Sequence, residues 1–140
     1  MSDTGSINDF NARIINEFRA NAGKVGPPFE GSQLLLLTTT GAKTGEQRTS
    51  PVVYSNDGDR LVIIASKAGA PSNPAWYHNL VANPTVTVEV GTETFQATAA
   101  VAEEPERRRL FDAQAEAMPG FKEYEQKTER VIPVITLTRL

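Results

Sequence analysis

Ile7, Phe10, Ile14, Ile15 and Phe18 recur at helical spacing, with Asn8, Asn11, Arg13, Asn16 and Glu17 between them. Apolar residues three and four apart share one face of a helix, so this spacing predicts an amphipathic N-terminal helix with one stripe to bury, on the core or on a second subunit. Residues 1–6 are small and polar and are expected to fray, with Ser6 or Asn8 as the cap. Gly23 and the Gly26-Pro27-Pro28 cluster end the helix. The period then changes. Leu34, Leu35, Leu36 and Leu37 run without interruption into Thr38, Thr39 and Thr40, the pattern of a buried strand with a β-branched end. Residues 49–54 form a second strand, with Pro51 tolerated at an edge or bulge, and Asn56-Asp57-Gly58-Asp59 is a hairpin turn into a third strand over 60–66. Val86, Val88 and Val90 alternate with polar residues over 85–90, and Gly91-Thr92 turns that strand into 93–101. Residues 103–118 read as a helix broken by Pro119-Gly120, residues 121–130 as a second short helix, and 131–140 as a closing strand.

The order is helix, three strands, short helix, two strands, helices, last strand. Hairpin-linked strands favour a largely antiparallel sheet that closes into a small barrel, and the absence of regular βαβ alternation argues against a doubly wound nucleotide fold. The class is therefore α+β, mainly β. At 140 residues the chain is the size of one domain. It has no cysteine, which excludes a disulfide scaffold, a thiolate metal site and a cysteine nucleophile. Its single histidine, His78, makes a multi-histidine zinc site implausible and leaves one candidate base for a serine triad. No metal is expected. The formal net charge of −3 disfavours a general nucleic-acid partner while allowing a local basic patch. No apolar run approaches the ~20 residues needed to span a bilayer, and the first residues lack a signal-peptide pattern. A soluble cytoplasmic protein is expected, with weak peripheral contact at the inner membrane face as the minority reading of the first helix.

Two segments carry candidate chemistry. In Gly41-Ala42-Lys43-Thr44-Gly45-Glu46-Gln47-Arg48, two glycines bracket a lysine and an arginine follows. Glycine lets backbone N–H groups approach an anion, and lysine and arginine supply the opposite charge. The spacing is not a Walker loop, and spacing alone favours a plain strand connection with solvated charges. In the second segment a buried strand empties into Ser66-Lys67-Ala68-Gly69-Ala70, and Asn73-Pro74-Ala75-Trp76-Tyr77-His78-Asn79-Leu80 follows. Small residues at a strand end admit a flat ligand to the backbone, and a helix start near Asn73 offers N–H groups to an anion. Trp76 and Tyr77 fit either a ring-stacking wall or the core, and residue type alone favours the core for Trp76. Tyr124 is a phenol able to donate a proton or hydrogen bond. Glu103, Glu104 and Glu106 with Arg107, Arg108 and Arg109 form a solvated, charge-paired helix start rather than a catalytic acid pair.

Together these motifs resemble the deazaflavin-dependent nitroreductase family of mycobacteria and related actinobacteria. The likeness runs from Leu34 through Gly45, Arg48 and Pro51, through Ala65 to Ala70, through Asn73 to Leu80 and Ala82-Asn83-Pro84, and ends in Thr128-Glu129-Arg130-Val131-Ile132-Pro133-Val134. The resemblance implies a split β-barrel binding reduced coenzyme F420, a flat tricyclic ring with a phosphodiester and an oligoglutamate tail. It divides the chain into an N-terminal helix and linker over 1–30 and a coenzyme-binding barrel over 31–140, one domain overall. It implies cofactor contacts at Lys43, Thr44, Arg48, Pro51, Ser66, Lys67, Ala68, Gly69, Asn73, Trp76 and Asn79, and a homodimer. Ala42 departs from the family, many of whose members carry arginine there. Met118 and Phe121 are apolar where nitroimidazole-activating members carry aromatic hydroxyls, and Lys127 replaces a bulky aromatic residue.

The resulting expectation is hydride transfer from reduced F420 to a small hydrophobic electron acceptor: a quinone, an enone or an activated nitro compound. The coenzyme supplies the difficult chemistry and the protein supplies position, dryness and charge. Tyr124, Ser66 or water would protonate the product, beneath an apolar lid of Met118, Phe121 and Phe18. The alternatives are an FMN-dependent oxidoreductase of the same fold and a non-catalytic coenzyme- or ligand-binding module.

Overall fold

The computed structural model describes residues 3–26, 33–69 and 72–140. Helix α1 (Asp3–Ala20) precedes strands β1 (Leu34–Thr40), β2 (Gln47–Asp57) and β3 (Arg60–Ile64). A single 3₁₀ turn (Lys67–Gly69) and helix α2 (Ala75–Ala82) lead to β4 (Thr85–Val90) and β5 (Glu93–Val101). Helices α3 (Glu106–Ala117) and α4 (Gly120–Lys127) then return the chain to β6 (Val134–Arg139). The strands form a closed antiparallel barrel in the order β1-β2-β3-β6-β5-β4. The predicted elements are all present. Helix α1 starts earlier than expected, so Ser6 and Asn8 lie inside it rather than capping it; a single serine or asparagine costs a helix little. Pro27 and Pro28, expected to end that helix, lie outside the described residues, as does Ala70 in the second loop.

The unbroken leucine run has a direct cause. Leu35 and Leu37 point into the barrel, where they meet Ile63, Leu80, Val86, Val88, Ile135 and Leu137. Leu34 and Leu36 point outward and are covered by Ile14 and Phe18 of α1. Strand β3 repeats this arrangement: Ile63 faces the barrel, while Val62 and Ile64 lie beneath Leu110, Phe111 and Ala115 of α3. Strands covered on both faces lose their alternation. Val86 and Val88 of β4 are buried, with half-buried Thr87 between them and half-buried Glu89 after them, so that strand keeps a period of two.

Pro51 lies opposite Leu36 of β1, whereas β2 first pairs with β3 at Tyr54. Residues 47–53 are thus paired on one side, the position in which proline is tolerated. The registers also give the barrel two unlike ends. The connections 41–46, 65–84 and 102–133 all emerge at the end where β1, β3 and β5 finish. The short turns at Gly58 and Gly91 lie at the other end.

Candidate active site at one end of the barrel

The lysine loop is a closed turn. Gly41 N–H donates to the Glu46 carbonyl at 2.7 Å, and Gly45 N–H donates to the Gly41 carbonyl at 3.0 Å. Gly45 takes φ +73°, a conformation that glycine adopts at no steric cost. Lys43 is therefore carried at the exposed tip, beside Thr44, whose hydroxyl accepts from Glu46 N–H at 3.2 Å. Helix α2 holds this loop. Asn79 Oδ1 accepts from Ala42 N–H at 3.0 Å, and its Nδ2 donates to Thr39 Oγ1 at 3.1 Å. One turn later Asn83 Nδ2 donates to the Thr40 carbonyl at 3.3 Å. Trp76 and Tyr77 are half-buried against the barrel interior, so the same helix plugs this end of the core. Its N-cap is Pro74, which makes no side-chain capping bond. The first N–H groups of α2 thus have no side-chain acceptor from the cap, which suits an anion.

The second loop is fixed from the opposite side. Ser66 is buried and Lys67 exposed. Lys67 takes φ +47°, uncommon for a residue with a side chain, and its Nζ lies 3.4 Å from Ser72 Oγ. Gly69, at φ +80°, sits beneath α4: a Cβ placed there would lie 2.8 Å from Lys127 Cβ and 2.9 Å from the Tyr124 carbonyl oxygen. Tyr124 is half-buried, edge-on to Phe121 at 5.6 Å, with Lys127 Nζ 6.0 Å from its ring centre. Arg130 ties these parts together. Its guanidinium donates to the carbonyls of Ala65 (3.1 Å) and Ser66 (2.7 Å) and to Asn73 Oδ1 (2.7 Å). Burial lowers its pKa from the usual guanidinium value, yet arginine stays charged at any ordinary pH.

The sequence-derived residues therefore gather at one barrel end in two groups: Lys43, Thr44 and Asn79 around the first loop, and Ser66, Lys67, Gly69, Asn73 and Tyr124 around the second. Ala68 lies in the 3₁₀ turn between Lys67 and Gly69. Arg48, the second residue of β2, is ion-paired with Glu46 at 3.0 Å, both side chains being well exposed. An anion binding Arg48 must compete with that carboxylate, a modest cost for a solvated pair. His78 is exposed and edge-on to Tyr77. Phe18 does not join Met118 and Phe121 in a lid. It is buried with Ile14, Leu34 and Leu36 on the outer face of β1, whereas Phe121 packs on the separate cluster beneath α3. A helical stripe gives the face to be buried but not the surface that buries it. A groove of about 250 Å³ lined by Phe18, Arg19, Glu89 and Thr92 lies at the opposite end, where Arg19 already forks onto Glu89 at 2.8 and 3.0 Å. Arg130 and Asn83 lie in segments that carry the family resemblance, yet neither is among the site residues that the resemblance implies. The available signals were an arginine on the approach to a buried strand and an asparagine before Pro84.

A family profile described as F420H(2)-dependent quinone reductase matches residues 12–139. The chain belongs to that family. Membership makes it an oxidoreductase whose cofactor is coenzyme F420 and whose acceptor class is the quinones. It is 42% identical over 126 residues to an F420H(2)-dependent quinone reductase of Mycobacterium tuberculosis, covering 87% of this chain and 85% of that one. Among solved structures it is similar to an F420-H2-dependent reductase, FDR-A, at 40% identity and a TM-score of 0.69, over 75% of this chain and 93% of that one. It is also similar to a protein described as a domain-swapped dimer, at 35% identity and a TM-score of 0.71, over 97% and 99% of the two chains. The donor set suits F420. Exposed Lys43, Arg48 and Lys67 and the open start of α2 are of a kind to receive a phosphodiester and a carboxylate tail. No described helix is long and apolar enough to cross a membrane.

Proposed function

We propose that this F420H(2)-dependent quinone reductase binds its coenzyme across the loop-bearing end of the barrel, with each of the two pinned loops supplying a cation. The observation that carries this reading is the pair of clamps, Asn79 on the lysine loop and Arg130 on the Ser66–Asn73 segment, which hold Lys43 and Lys67 at the same barrel end. When bound, F420 supplies the hydride. Lys43 and Arg48 attract the carboxylate tail, while Lys67 and the first N–H groups of α2 receive the phosphodiester. The Ser66–Gly69 backbone forms a shelf for the ring, and Trp76 stiffens the floor beneath it from its place against the core. Pro51 fixes the conformation of β2 downstream of Arg48. Tyr124 or the Ser66 hydroxyl donates a hydrogen bond to the oxygen that gains negative charge as a quinone is reduced. Met118 and Phe121, both half-buried, give the acceptor an apolar approach.

The test is steady-state oxidation of reduced F420 by menadione, with enone and nitroaromatic acceptors in parallel. Menadione is expected to be reduced, and FMN should not replace F420. A rate no faster than the protein-free reaction would overturn the reading. We also propose that the chain is a homodimer, supported by the similarity to a domain-swapped dimer and by the one-sided edge of β2 over 47–53. Light scattering should then give twice the 15.2 kDa chain mass, and the chain mass itself would contradict it.

A further inference from the structure

Arg130 lies between α4 and β6, yet three of its acceptors are 57 to 65 residues away in sequence. They are the carbonyl that follows β3, the carbonyl immediately before Lys67, and the side chain immediately before Pro74, the N-cap of α2. One planar fork thus spans both boundaries of the second loop. Lys67 needs such support. A left-handed backbone at a side-chain-bearing residue persists only where its surroundings over-determine it, and Arg130 fixes the peptide oxygen just ahead of it. The other end of the fork sets Asn73, and with it the direction in which α2 begins.

We infer that Arg130 is a positioning residue for coenzyme binding. It holds the Ala65–Ser66 carbonyls and Asn73 in one frame, so that Lys67 and the opening N–H groups of α2 face the same anion. This inference rests on the proposed location of the coenzyme. The shape of the side chain matters as much as its charge, because lysine places a point charge where arginine places a rigid fork.

The experiment is fluorescence titration of F420 into the wild type, Arg130→Lys, Arg130→Ala and Asn73→Leu, with a thermal melt for each. Arg130→Lys is expected to raise the Kd for F420 by about tenfold, the scale of a lost charge-assisted hydrogen bond. At saturating reduced F420, kcat should fall by no more than about threefold, since Arg130 meets Ser66 only at its backbone carbonyl and touches neither its hydroxyl nor Tyr124 by any bond described above. Ethylguanidinium added to Arg130→Ala should restore affinity, and should fail to do so once Lys67 is also replaced by alanine. A general loss of packing would not be rescued in this way. Should Arg130→Ala not fold, Arg130→Lys and Asn73→Leu carry the test, and both should weaken binding. Folded variants that bind F420 as tightly as the wild type would overturn the inference while leaving the site intact. Failure of the wild type to bind F420 would overturn the site, and the inference with it.

Discussion

Gly69 combines a φ of +80° with a missing side chain whose place is taken by Lys127 and by the Tyr124 carbonyl. Gly69→Ala should therefore destabilise the fold by about 1–3 kcal/mol and displace α4 from the 3₁₀ turn. Thermal melts would give the first effect, and a weaker F420 titration would follow from the second. An unchanged melting temperature would mean that α4 does not rest on this turn. The sequence suggests a small-residue shelf here for a ligand, and it offers no hint that the smallness also admits a helix from more than fifty residues downstream. Asn79 stands in the same position. It is readable as part of a motif, but nothing local shows that its amide holds the lysine loop through Ala42 and Thr39. Arg130 is the extreme case. Nothing in Thr128-Glu129-Arg130 announces partners at Ala65, Ser66 and Asn73, because side-chain hydrogen bonds over such separations leave no local periodicity.

The elements were more legible than the contacts between them. Alternation identified β4, the Gly91-Thr92 turn placed β5 after it, and continuous apolar runs identified β1 and β3. What the runs did not say is which helix covers each outer face. Helix α1 covers β1 through Ile14 and Phe18. Phe18→Ala should cost about 3–5 kcal/mol, the usual penalty for emptying an aromatic site in a core. A urea melt would measure it, and the loss should come without a specific defect in coenzyme affinity, since Phe18 lies away from the loop-bearing end. A stable variant with impaired coenzyme binding would restore Phe18 to the lid first expected of it. The start of α3 is clamped to the β2–β3 hairpin by Asp57, which accepts from Arg109 and Arg60. The Arg109 bond, then the Arg60 bond, hold the Asp57 carboxyl below its ordinary range. A depressed carboxylate stabilises the fold at pH values above its unfolded pKa, and the contribution is lost as pH falls through the lower, folded value. Melting temperature should thus drop on acidification below about pH 4, and Asp57→Asn should flatten part of that slope. Equal slopes in the two proteins would mean that the clamp carries no linkage.

For the molecule as a whole, the net charge of −3 makes the placement of its cations decisive. Many arginines are engaged with carboxylates away from the loops: Arg19 with Glu89, Arg60 and Arg109 with Asp57, Arg108 with Asp112 and Glu125, and Arg139 with Glu93. Lys43 and Lys67 instead stand exposed on loops whose backbones are pinned from beneath by Asn79 and Arg130. An acidic barrel can in this way present a local positive end to a polyanion. The most direct test is a calorimetric titration of F420 into the wild type and into Lys43→Ala/Arg48→Ala, each at low and at high salt. The double variant should bind more weakly at low salt, by roughly tenfold or more, and the gap should narrow at high salt as the attraction is screened. Equal affinity of the two proteins at low salt would contradict this reading.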